Sequence, residues 1–182
     1  MSGTPRAARS RRVGSGRLLL LLAAMVVAAI DLVAKALAEA RLGDTSVDLG
    51  VLQLRLAHNS GVAFSLGHAL PTWVVVALTS VITAGIALYG WRHAPTASRI
   101  QLLAGAAIGG GAAANVIDRA PDGVVTDYLH TGWWPTFNLA DTFLVVGGTF
   151  LVLSLLQSDR SAGPSSDAPV ADAHRPTAPD SR

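Results

Sequence analysis

Four long apolar runs separated by shorter polar connections dominate this chain, at about residues 18–38, 70–88, 100–117 and 139–156. Each is long enough to cross, as a helix, a hydrocarbon layer of about 30 Å. The pattern predicts an all-α membrane protein with four transmembrane helices. One stretch breaks it. Val51, Gln53, Arg55 and Ala57 alternate with Leu52, Leu54 and Leu56, a period of two that reads as a strand with one apolar face. The expected fold therefore includes a small extracytoplasmic β-strand region between helices 1 and 2, ended by the turn residues Asn59, Ser60 and Gly61.

The polar ends of the pattern suggest boundaries and orientation. Residues 1–16 and 158–182 are rich in Ser, Ala, Pro and Arg without apolar periodicity, and are expected to be disordered cytoplasmic tails around a membrane domain of residues 17–157. Arg6, Arg9, Arg11, Arg12 and Arg17 precede the first run with no acid among them. In a soluble protein such a cluster could contact nucleic acid, but directly before an apolar run it marks a cytoplasmic flank, so no nucleic-acid partner is expected. Arg92 and Arg99 supply a second basic link after two crossings. Both termini then lie in the cytoplasm, and the connections 41–69 and 118–137 share the outer side. A cleaved signal peptide is the rival reading of the first run, since Ala38-Glu39-Ala40 imitates a cleavage site. The length of the run argues against it. So do Asp31 and Lys35, an acid and a base at helical i,i+4 spacing near its outer end, where Lys35 is expected to snorkel outward or to line a site.

Composition agrees with the membrane reading: 51% of residues are hydrophobic, 14% are charged and the net charge is only +2. The mean hydropathy is +0.44. The absence of cysteine excludes disulfides, thiol catalysis and cysteine-ligated zinc. The third run carries Gly105, Gly109, Gly110 and Gly111, a small-residue spacing expected to let helix backbones approach closely.

The chemistry concentrates in three polar clusters expected on the outer face: one from His58 to Leu66, one from Ala114 to Arg119, and one from Thr126 to Asp141. Asn138 and Asp141 fit the N-cap and N3 positions of a helix start. Asp127 has no such role, in a segment that reads as extended or amphipathic. Two carboxylates at one water can hydrolyse a peptide bond, one as base and the other as a protonated acid, because like charges at about 3 Å cannot both ionise. Ser60 or Ser65 with His58, His68 or His130 would be a serine–histidine alternative, but neither serine has a nucleophile-elbow setting. The five histidines lack HExxH spacing. Asp118 and Arg119, adjacent on a helix, each need another partner.

Taken together, Asp31 with Lys35, NSGVAFS at 59–65, NVIDR at 115–119, VVTDY at 124–128 and FNLAD at 137–141 resemble bacterial lipoprotein signal peptidase, also called signal peptidase II, over about residues 17–156. The resemblance implies a four-helix aspartic endopeptidase of the cytoplasmic membrane, with its site near the outer face. It implies removal of signal peptides from lipid-modified prolipoproteins, before the lipidated cysteine. Asp127 and Asp141 match the catalytic pair, and Asn59, Gly61, Asn115, Asp118, Arg119 and Asn138 match the polar residues that support it and bind substrate. The implied partners are those prolipoproteins and membrane lipids, whose tails would enter between helices; no cofactor or metal is implied, and a monomer is expected. Ala114 and Val62 depart from the family pattern, by changes that concern packing. A small transporter or lipid-binding module using the same acids is the competing class, and would place charges at mid-span. A presenilin-type protease is disfavoured because Asp141 follows Asn138-Leu139-Ala140 in place of a GxGD element.

Overall fold

The structure, a computed structural model, describes residues 5–61 and 71–161. Positions 62–70, which include Val62, Ser65, His68 and the start of the second apolar run, lie outside the described residues, as do both chain ends. Seven elements follow in order: α1 (Pro5–Leu42), β1 (Ser46–Asp48), β2 (Gln53–Asn59), α2 (Thr72–His93), α3 (Arg99–Arg119), β3 (Val125–His130) and α4 (Leu139–Ser161). Helix α1 starts at Pro5, well ahead of the first leucine and inside the segment expected to be an irregular tail. Proline in a first turn lacks only an N–H that has no intrahelical partner, and the Ala and Arg that follow are good helix formers.

Four helical segments are long and apolar enough to cross a membrane: Gly14–Leu42, Thr72–His93, Arg99–Arg119 and Leu139–Gln157. Leu18, Met25 and Val33 on α1, Val81 on α2 and Val145 and Val152 on α4 point away from the protein, which suits a lipid surround and not water. Helix α3 is the central one. It has the lowest mean hydropathy of the four, 1.5, and the largest buried share, 33%, and it packs against α1, α2 and α4. Helix α2 stands at the periphery, with no buried residue.

Small residues set how closely α3 approaches its neighbours. A Cβ on Gly110 would lie 2.5 Å from the Ala24 carbonyl oxygen of α1, and one on Gly111 would lie 2.7 Å from the Ala140 carbonyl oxygen of α4. Gly147 of α4 answers in kind, with a Cβ there 2.8 Å from the Ala104 carbonyl oxygen. Gly109, expected to share this role, faces open space, so the contact falls on the next two glycines instead. Backbone-to-backbone approach brings the polar side chains at the outer ends of α1, α3 and α4 within reach of one another.

The expected strand forms as β2, and the sheet is larger than the sequence pattern indicated. It has three antiparallel strands in the order β1-β2-β3, and the third comes from the connection between α3 and α4. β3 is buried along Val125–Tyr128, so it shows no apolar–polar alternation to mark it as a strand. A register shift between Leu54 and Ala57 bends β2 opposite Asp127, where Ala57 pairs with Asp127 and Asn59 with Val125. Tyr128 packs with Ala38 and Leu42, and Leu54, Leu56 and Leu139 close around them. That cluster seats the sheet on the outer end of α1.

The packing predicts a position-specific effect. Gly110→Val or Gly111→Val should destabilise the bundle by about 1–3 kcal/mol through overpacking, read as a lower unfolding temperature in detergent, while Gly109→Val should leave it unchanged. Equal unfolding temperatures for all three would contradict this arrangement.

Candidate active site

The site is organised from the first turn of α4. The Asp141 N–H donates to Asn138 Oδ1 at 2.9 Å, and the Asn138 N–H donates back to Asp141 Oδ2 at 3.3 Å. This is a reciprocal cap of the kind the sequence suggested. It also fixes the Asn138 amide: with Oδ1 taken by a backbone donor, the NH2 group faces the other way. There it donates to Asp127 Oδ1 at 2.7 Å and to Asn115 Oδ1 at 3.2 Å. One fully buried asparagine thus contacts both aspartates.

Each carboxylate has a second donor. Asn115 Nδ2 donates to Asp141 Oδ1 at 3.0 Å, and Asn59 Nδ2 donates to Asp127 Oδ2 at 3.1 Å. Asp127 is buried, Asp141 half-buried and Asn59 exposed, so the pair opens on one side. Burial pushes the Asp127 carboxyl up to about 6; the Asn59 donor opposes the shift, the Asp141 charge adds to it, and the Asn138 donor and Lys35 oppose it. Tyr128, next in β3, is pushed up to about 12, by burial first and then by the Asp31 charge, and so stays neutral.

The remaining expected residues surround this core. Asp118 and Arg119, adjacent on α3, do find separate partners. Asp118 Oδ2 accepts the Thr126 N–H at 2.8 Å and pairs with Lys35 Nζ at 3.1 Å. Arg119 is buried and reaches the Asn59 carbonyl oxygen at 3.5 Å. Gly61 has φ +85°, and its N–H closes a turn on Asn59 Oδ1 at 2.9 Å. A Cβ there would meet Val75 Cγ1 at 2.8 Å, so both backbone and space favour glycine at this position. Lys35 does not snorkel. It is 2% exposed and turns inward, 2.9 Å from Asp31 Oδ2 and 2.6 Å from Asn115 Oδ1, because the buried carboxylate and amide offer acceptors that lipid does not.

Three groups were not singled out from the sequence. The Thr126 hydroxyl donates to Glu39 Oε1 at 2.8 Å, and the Ala140 N–H donates to Asp31 Oδ1 at 2.8 Å. Glu39 lies eight residues after Asp31 and four after Lys35, on one helical stripe, which is the signal that would have found it. Ser60 is exposed, and among the described residues the His130 Nδ1 is buried without a partner. From Asp141 a groove of ≈ 400 Å³ runs along the outside of α4, lined by Trp133, Trp134, Phe137, Val145 and Val146.

Comparison with known proteins gives the chain a family. The family model described as signal peptidase (SPase) II matches residues 23–157. The lipoprotein signal peptidase of Mycobacterium leprae is 40% identical over 146 residues, covering 75% of this chain and 70% of the relative. That of Rhodococcus jostii is 36% identical over 151 residues, covering 77% and 73%. A solved bacterial membrane enzyme superposes with a TM-score of 0.66 at 25% identity, over 81% of this chain and 93% of that one. The three-stranded sheet on a four-helix bundle is thus a fold with a solved counterpart. By the span of the family match and the coverage of these relatives, the chain belongs to the signal peptidase II family, as a multi-pass peptidase of the inner membrane.

Proposed function

We propose that this peptidase is of the aspartic type, with Asp127 and Asp141 as the acid–base pair acting on one water. The observation that carries the reading is the shared Asn138, whose side-chain amide holds Asp127 and whose backbone N–H holds Asp141. Asp127 is the member that keeps the proton, since burial raises its carboxyl to about 6. Asp141 is the base. It takes a proton from water as the water oxygen bonds to the scissile carbonyl carbon, while Asp127 gives its proton to the carbonyl oxygen. The tetrahedral diol then collapses, the C–N bond breaks, Asp141 delivers its proton to the departing nitrogen, and Asp127 regains a proton from the diol. Asn59, Asn115 and Asn138 hold the carboxylates, while Gly61 and Arg119 shape the rim where substrate backbone enters.

The substrates are lipid-modified prolipoproteins, cleaved before the lipidated cysteine. The lipoprotein signal peptidase relatives support this, and so does the apolar groove leading from Asp141 along α4 toward the bilayer. The arginines at the other end of the bundle, Arg17, Arg92 and Arg99, support an orientation with both termini cytoplasmic and the site at the outer face. Residues 17–157 form the catalytic unit, which works as a monomer and needs no cofactor. The rival transporter reading expects charges lining a mid-span path, whereas the charges of the site gather where the sheet meets the bundle.

Two experiments test the mechanism. Asp127→Asn and Asp141→Asn, each expressed and membrane-inserted, should process a lipidated precursor about a thousandfold more slowly than wild type, scored by gel shift with an unlipidated precursor as control. Wild-type rates in either variant would overturn the aspartic reading. The second is pH. An acid with a raised pKa stays protonated to higher pH, and its active form is lost as pH rises through about 6. kcat/KM should therefore fall above about pH 6, by about tenfold per unit. A flat profile from pH 5 to 8 would remove Asp127 from the role of acid.

A further inference from the structure

Among the described residues, helix α1 makes no hydrogen bond to the Asp127 or Asp141 carboxylate, yet it holds the neighbours of both. Asp31, Lys35 and Glu39 stand on successive turns of one face. Asp31 Oδ1 accepts the N–H of Ala140, the residue before Asp141, at 2.8 Å. Glu39 Oε1 accepts the hydroxyl of Thr126, the residue before Asp127, at 2.8 Å. Between them the Lys35 ammonium meets three acceptors: Asp31 Oδ2 at 2.9 Å, Asp118 Oδ2 at 3.1 Å and Asn115 Oδ1 at 2.6 Å. The contact with Asn115 is a hydrogen bond and the two carboxylates are ion-pair partners, and the ammonium is 2% exposed, out of reach of substrate.

The consequence lies in the polarity of an amide. An ammonium only donates, so Asn115 must turn Oδ1 toward Lys35 and its NH2 group toward Asp141 Oδ1, 3.0 Å away. The Asn138 NH2 group, itself fixed by the α4 cap, reinforces the same choice by donating to Asn115 Oδ1. Reversing the Asn115 amide would set NH2 against the ammonium and oxygen against the Asp141 carboxylate. We propose that Lys35 is a positioning residue for the reaction: by fixing the direction of the Asn115 amide it supplies Asp141 with its side-chain donor, while Asp31 and Glu39 on the same stripe hold the chain beside each aspartate. This rests on the reading of Asp127 and Asp141 as the catalytic pair.

The test removes the ammonium without stranding the buried Asp31 carboxylate, while the partly exposed Asp118 keeps the Thr126 N–H. Lys35→Met alone leaves Asp31 unpaired and is liable to misfold. The double variant Asp31→Asn/Lys35→Met keeps an acceptor for the Ala140 N–H and removes both charges. In the full chain in detergent, with lipidated precursor, it should lower kcat by about tenfold to a hundredfold and leave KM within about twofold, since a group that positions the base acts on the transition state and not on uniform binding. Adding Asn115→Ala should cost nothing further, although Asn115→Ala by itself slows the wild type. Such non-additivity marks two residues acting through one interaction. Wild-type kcat in the double variant, a rise in KM with kcat unchanged, or full additivity with Asn115→Ala would each overturn the proposal. Should that variant unfold, Asp31→Asn/Lys35→Gln replaces it: its NH2 group still donates to Asn115 Oδ1, so kcat within about threefold of wild type supports the proposal and a loss as large as that of Asn115→Ala overturns it. Activity surviving in Asp127→Asn would instead remove the catalytic pair and leave the hydrogen-bond geometry intact, so the two failures are distinguishable.

Discussion

The reciprocal hydrogen bonds between Asn138 and Asp141 are the constraint on which the rest of the site depends. They start α4, and in doing so they settle which way the Asn138 amide faces. A cap that only began a helix would stop there. Here the freed NH2 group reaches Asp127 on a strand and Asn115 on another helix, so one local motif joins three elements. The desolvation cost of placing acids beside a bilayer is offset by these N–H donors, two on each carboxylate, and is relieved further if the pair keeps one proton.

That geometry needs close helices. Short side chains such as Asn and Asp bridge α3 and α4 only because Gly111 sits against the Ala140 backbone, and α1 approaches because Gly110 sits against Ala24. The sheet then closes the site from the side. A bend in β2 opposite Asp127 and the Tyr128 cluster on α1 fix the strand that presents Asp127. Packing of small residues and the polar network are therefore one arrangement, with the glycines setting the distance and the amides setting the direction.

How much of this the chain discloses depends on whether the signal is local. Span length and apolarity are local properties, and the four crossings follow from them. The Asn138–Asp141 cap is a three-residue motif, legible as a cap though not as a link to Asp127. β3 was hidden because burial on both faces erases alternation, and because its partner β2 lies beyond a whole pair of helices in sequence. Lys35 pairs with Asp31 as its spacing suggested, but its inward turn depends on acceptors from α3, eighty residues away. Glu39 looked like part of a cleavage-site imitation, and its contact with Thr126 appears only in the fold. The proposed pairing of Asp127 with Asp141 came from resemblance to a family; spacing alone gave Asp141 a capping role and Asp127 none.

The central claim is that Asp127 is the member of the proposed pair that holds the proton, with the Asp141 charge helping to hold it there. Carboxyl titration by isotope-edited infrared spectroscopy on the intact protein tests it most directly. A protonated-carboxyl band assigned to Asp127, absent from Asp127→Asn, should persist until about pH 6 and should disappear at lower pH once Asp141→Asn removes the like charge that helps hold the proton. An Asp127 carboxyl already ionised at pH 5, and unmoved by Asp141→Asn, would contradict the account.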